Sequence, residues 1–131
     1  MYVFGGSTTT TVSDLFKYDL ILNTWSLIYP SGISIDRSIH AAFLFQNNYM
    51  IVFGGYSYSL GSYLDDVQIL DFTSYSWLTV NIDGTNPPGK NHFGAIVNGN
   101  SLTIYGGYNC NFFFFNKWLL FTYFKKRYNI W

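Results

Sequence analysis

The chain has 131 residues, seven Lys and Arg against seven Asp and Glu, 49% hydrophobic and 22% aromatic content. This balance excludes a disordered tail, which needs low hydrophobicity and high charge, and a nucleic-acid module, which needs a basic surplus. One cysteine, Cys110, makes no internal disulfide, and two histidines, His40 and His92, are too few to close a structural zinc site, so neither metal nor cofactor is expected.

From the N-terminus, Met1-Tyr2-Val3-Phe4-Gly5-Gly6 lacks the basic stretch, apolar core and small-residue cleavage site of a secretory signal, and a cytoplasmic location is expected. Ile39–Phe45 and Tyr49–Phe53 are short apolar runs flanking Gln46-Asn47-Asn48, residues that tolerate left-handed backbone, and predict a hairpin. Val67–Asp71 and Ser76–Val80 predict a second hairpin, rich in the residue types that favour strands. The apolar run from Phe112 to Phe124 is broken by Asn116 and Lys117 and is shorter than the roughly 20 residues of a spanning helix, so no membrane segment is expected. Only 11% of residues are charged, against about 25% in an ordinary globular chain, so much of the surface is expected to be covered.

The chain repeats. Sliding Asp14–Tyr56 by 52 positions onto Asp66–Tyr108 superposes Asp14 on Asp66, Asp19 on Asp71, Trp25 on Trp77, Gly32 on Gly84, His40 on His92 and Asn48 on Asn100, then Gly54-Gly55-Tyr56 on Gly106-Gly107-Tyr108. A third copy of the strand and glycine pair stands at Tyr2–Gly6. Four strands in about 50 residues, repeated, is the arithmetic of a propeller blade, one radial sheet of four antiparallel strands.

The glycine pair after an apolar strand, Asp66 and Asp71 ahead of Trp77, and Arg37-Ser38-Ile39-His40 together resemble the kelch repeat. The resemblance covers residues 2 to 108 and implies an all-β fold, a kelch-type β-propeller segment made of four-stranded antiparallel blades. The expected units are a partial blade at 1–29 lacking its first strand, a complete blade at 36–80, and a degraded partial blade at 90–131.

The recurrent residues are expected to be structural: Gly5, Gly6, Gly54, Gly55, Gly106 and Gly107 for positive φ and close approach, with Trp25 and Trp77 on the outermost strand. The resemblance implies that each tryptophan packs near a glycine pair. His40 and His92 are read as one repeat position, and therefore as hydrogen-bonding groups between strands or blades rather than catalysts. Arg37 fills the family's arginine position; the second copy has Gly89 there, with Lys90 one residue on.

The inventory is poor for catalysis. All carboxylates are Asp; Asp14, Asp19, Asp66 and Asp71 belong to the repeat, while Asp36, Asp65 and Asp83 fall in predicted loops, and no enzyme is expected. Galactose-oxidase-like propellers, the alternative, need a cross-linked Tyr and Cys with histidine ligands, a set that Cys110, His40 and His92 substitute poorly. Long loops are expected on one face at Ser7–Ser13, Tyr29–Asp36, Tyr56–Leu64 and Asn81–Gly89. In the Tyr-, Ser- and Gly-rich loop, Tyr56, Tyr58 and Tyr63, together with Asp36, are the candidate partner-binding residues.

After Gly107 the pattern degrades into Asn111-Phe112-Phe113-Phe114-Phe115, and Trp131 aligns with the blade tryptophan only across an enlarged turn. This end reads equally as translated A/T-rich non-coding sequence, which makes Lys125-Lys126-Arg127 incidental. Fewer than three blades cannot close a ring. The expectation is a non-catalytic scaffold that binds a protein partner, as a fragment of a larger propeller or through self-association of unpaired blade edges; a truncated or mispredicted product without independent function is the other alternative.

Overall fold

The computed structural model describes residues 1–78, 80, 82–99 and 101–109, and the backbone of 119–122. Cys110, residues 111–118, Lys125-Lys126-Arg127 and Trp131 lie outside the described residues. Described residues form strands and turns without a helix. The first sheet has order β1(Tyr2–Ser7), β2(Thr11–Asp19), β3(Thr24–Ile28). The second joins β4(Ala41–Phe45), β5(Tyr49–Phe53), β8(Val67–Asp71) and β9(Ser76–Leu78). Between β5 and β8 in sequence, β6(Tyr56–Ser57) and β7(Ser62–Tyr63) pair as a small separate ribbon. The third sheet has order β10(Asn91–Asn98), β11(Ser101–Tyr108), β12(Leu119–Thr122).

All pairings in these sheets are antiparallel. The second sheet is the expected four-stranded blade. Its first turn works because Gln46 and Asn47 both accept positive φ, 48° and 57°, which matches the twist of the flanking strands. Its outer turn is held by Asp71, whose Oδ1 accepts the Thr73 N–H at 2.7 Å; Asp19 does the same for the Ile21 and Leu22 N–H groups at 2.9 Å.

Strand alternation gives every sheet two apolar faces. Phe4, Leu15 and Ile28 lie in one register line of the first sheet, and Met50, Leu70 and Trp77 in one line of the second. These lines meet in a single core with Val52. Trp77 is 8% exposed, with its ring 4.8 Å from that of Phe4. The opposite face of the second sheet, with Phe45, Ile51, Phe53 and Ile69, packs toward Phe93, Val97, Leu102 and Ile104 of the third. After β3 the chain runs alongside β9: the Trp77 N–H donates to the Ser31 carbonyl and the Ser31 N–H to the Tyr75 carbonyl, both at 2.9 Å, which covers the open outer edge.

The far face of the first sheet is uncovered. Val3, Phe16 and Leu27 are paired across it, all exposed, and Trp25 is 53% exposed, leaning on Phe16 and Tyr18. Trp25 therefore departs from the expected packing near a glycine pair, because no sheet among the described residues lies on that side. The contrast with Trp77 is measurable by urea denaturation of the chain. Trp77→Ala is expected to cost about 3–5 kcal/mol and Trp25→Ala less than about 1 kcal/mol.

Candidate functional site

The segments that connect one sheet to the next build both the joints of the fold and the walls of an open cleft. The first begins at Arg37, which is fully buried. Its guanidinium donates to both Asp66 oxygens, Nη1 to Oδ1 at 2.9 Å and Nη2 to Oδ2 at 2.7 Å. Nη1 also donates to the Gly54 carbonyl at 3.0 Å and Nε to the Ile35 carbonyl at 3.2 Å, so a planar five-donor group is well satisfied. The Arg37 carbonyl accepts the Gly6 N–H at 2.8 Å, fastening the connection to the first sheet.

The next joint repeats this geometry with different residues. The Gly55 N–H donates to the Lys90 carbonyl at 2.8 Å, and Lys90 Nζ reaches the Gly106 carbonyl at 3.2 Å. Lys90, not Gly89, is thus the counterpart of Arg37. The one-residue slip extends along the connection. A Cβ placed on Gly5 would lie 3.1 Å from His40 Cε1, and one on Gly54 2.9 Å from Phe93 Cε1. Likewise Gly55 would meet the His40 Cβ and Gly107 the Phe93 Cβ, each at 2.9 Å. His40 stands edge-on to Phe4 with ring centroids 5.6 Å apart, and Phe93 edge-on to Phe53 at 5.4 Å.

The pairing of His40 with His92 is therefore corrected: Phe93 occupies the His40 position. His92 sits where Ile39 does, both at positive φ (51° and 56°), exposed and with its Nδ1 3.0 Å from Asn91 Oδ1. The rings against the glycine pairs belong to His40 and Phe93, and Trp77 packs on Phe4 beside Gly5 instead. The repeat flags Lys90 one residue past the Arg37 position but hides Phe93, because a fixed offset of 52 favours the fortuitous His92; Lys90-Asn91-His92-Phe93 keeps the Arg37-Ser38-Ile39-His40 spacing.

His40 pays for standing where a phenyl ring would serve. Its Nδ1 is buried with no hydrogen-bond partner among the described residues. Burial, with the nearby Arg37 charge adding to it, pushes its pKa down to about 4. Because the folded value lies below the unfolded 6.5, the unfolded chain binds more protons between these limits. This contribution to stability is complete above pH 6.5 and falls, by on the order of 3 kcal/mol, as pH drops toward 4. His40→Phe is expected to fold with equal or greater stability at pH 7 and to lose that part of the pH dependence, as read from urea melts at pH 7, 5.5 and 4.5.

Above the joints lies an open cleft of about 800 Å³. Ser7 comes from the first sheet, Ser38 and Ile39 from the first connection, Tyr56, Tyr58 and Tyr63 from the segment after β5, Gly89 from the second connection and Asn91 from the start of β10. Ser38 and Tyr56 exchange backbone hydrogen bonds at 3.0 and 2.9 Å, and the Lys90 N–H donates to the Leu64 carbonyl at 3.2 Å, so the loop is tied at both ends. The four tyrosines meet edge to face in a row, Tyr58 to Tyr56 at 5.3 Å, Tyr56 to Tyr63 at 5.1 Å and Tyr63 to Tyr108 at 5.8 Å. Tyr58 and Tyr108 are the most exposed of them.

Asp36, half-buried, braces this loop through its carboxylate. Its Oδ1 accepts from Ser57 Oγ at 3.0 Å and from Ser59 Oγ; its Oδ2 accepts from Thr11 Oγ1 and from the Ser59 N–H at 3.4 Å. Thr11 Oγ1 in turn accepts the Tyr58 N–H at 2.8 Å. Partial desolvation raises the Asp36 pKa, but the hydrogen bonds from Ser59, Thr11 and Ser57 outweigh it and bring the group down to about 2. Both Asp36 oxygens are thus engaged within the protein, as a brace between the loop and Thr11 of the first sheet. Thr11 and Ser57, both buried, complete this clamp and carried no signal in the repeat. Among the described residues no three His, Cys, Asp or Glu side chains converge on one point, and no helix is long and apolar enough to cross a membrane.

Antiparallel blades joined through glycine pairs, with a loop-built cleft on one face, define a β-propeller segment. The KLHDC2/KLHL20/DRC7 Kelch-repeats domain matches residues 1–129, and the chain belongs to the kelch-repeat family. Acyl-CoA-binding domain-containing protein 4 of Arabidopsis thaliana is 31% identical over 113 residues, 83% of this chain and 17% of that protein. Rho GTPase-activating protein gacHH of Dictyostelium discoideum is 31% identical over 100 residues, 74% of this chain and 6% of its own length. Kelch-like protein 23 of Homo sapiens is 34% identical over 77 residues, 59% of this chain and 12% of its own. The chain thus spans about a sixth or less of these curated relatives.

Proposed function

We propose that the chain is a non-catalytic, protein-binding segment of a larger kelch propeller, with blades at 1–29, 36–80 and 90–131. The observation that carries this reading is the tyrosine row held over the cleft by a loop that Asp36 braces from below. A braced loop loses little entropy on binding, and tyrosine supplies contact area with few rotatable bonds. Tyr58, 59% exposed, and Tyr63 are the contact residues we assign. In the intact protein, Tyr58→Ala is expected to weaken capture of the wild-type partner by about tenfold or more while leaving the thermal midpoint unchanged. Partner capture that survives both Tyr58→Ala and Tyr63→Ala overturns the assignment.

A second contact is favoured by the uncovered first sheet. Val3 and Trp25 stand where Val52 and Trp77 are buried against the preceding sheet, so this face is built to receive another sheet of the same kind, from a longer polypeptide or a second copy. Trp25→Ser with Phe16→Ser is expected to reduce self-association of the isolated chain in sedimentation velocity. Unchanged association would refute that contact.

A further inference from the structure

We infer that the cleft receives an uncharged, proline-containing extended segment of a protein partner, an inference that rests on the protein-binding reading above and specifies its ligand. Among the described residues, twelve line the cleft and none of them carries a charge. Arg37 and Lys90 adjoin the lining in sequence and Asp36 braces the loop, and each of these three is engaged elsewhere. Asp36 is spent on the hydroxyls beneath the loop, Arg37 is fully buried on Asp66, and Lys90 reaches the Gly106 carbonyl. An acidic or basic segment entering the cleft would lose hydration with no opposite charge to replace it.

The polar groups of the lining are hydroxyls and amides, from Ser7, Ser38, Ser62, the tyrosines and Asn91. A polyproline II segment has no internal hydrogen bonds, presents its carbonyls outward and offers no N–H at proline, so it asks mainly for donors. Aromatic rings set edge to face complete the match. The interplanar angles along the row, 89°, 64° and 73°, make ridges and notches rather than a flat platform, the relief into which pyrrolidine rings pack in aromatic-lined grooves.

Random-peptide display against the intact protein tests this, with each selected peptide then measured against the wild type, Tyr58→Ala and Tyr63→Ala. The expected peptides are enriched in proline, depleted in Asp, Glu, Lys and Arg, and bind with affinity that changes less than about twofold between about 0.05 and 0.5 M salt. Their affinity falls about tenfold or more in Tyr58→Ala. Peptides that depend on Tyr58 but are acidic or basic, with affinity collapsing in salt, overturn the inference while leaving protein binding at this cleft intact. Peptides none of which responds to Tyr58→Ala or Tyr63→Ala overturn both.

Discussion

The structure depends on a hydrogen bond between sheets: the amide of the second glycine in the first two pairs donating to the carbonyl of the connection that leads to the next blade. Gly6 to Arg37 and Gly55 to Lys90 are both 2.8 Å long. Sheets with two apolar faces would otherwise stack at any height and angle, since burial is not directional. Gly55 shows what the joint demands. It sits at φ 98°, and a Cβ there would come within 2.7 Å of the Ser38 carbonyl oxygen, so a larger residue would force the sheets apart. The guanidinium of Arg37 fixes the same point from the other side by joining Gly54 to Asp66, and as a buried ion pair it acts more through geometry than through net energy.

The cleft is a consequence of the joints. The residues that fasten the blades and the residues that line the cleft alternate along the same short connections. Arg37 and His40 face the joint while Ser38 and Ile39 face the cleft; Lys90 and Phe93 face the joint while Gly89 and Asn91 face the cleft. The loop carrying the tyrosines is then tied to this frame by its backbone at Ser38 and Leu64 and by Asp36 underneath. Among the described residues charge is concentrated in the fastening and absent from the lining, in a chain that is already poor in charge.

Much of the architecture is legible from residues alone because it is periodic. The hairpin at Gln46-Asn47, the Asp-led outer turns and the glycine pairs each rest on a local backbone requirement that a few residue types meet. The connections are legible only in part, because their constraint is spatial: Lys90 and Phe93 do the work of Arg37 and His40 after a slip of one residue, which a fixed period hides behind the chance identity of His92. The brace at Asp36 is hidden for a similar reason. A carboxylate in a predicted loop next to exposed tyrosines suggests contact with a partner, and nothing local reveals that Thr11, from the first sheet, and Ser57 arrive to consume it. Trp25 and Trp77 share a repeat position but not an environment, since burial depends on whether a neighbouring sheet is there.

The central claim is that the glycine joints hold successive blades as one cooperative unit. Native-state hydrogen exchange at the Gly6 and Gly55 amides tests it most directly. The account predicts that both exchange only with global unfolding, with protection equal to that of Ile51 in the middle strand. Exchange as fast as that of the exposed loop glycine Gly84 would show that the blades part without unfolding, and would contradict it.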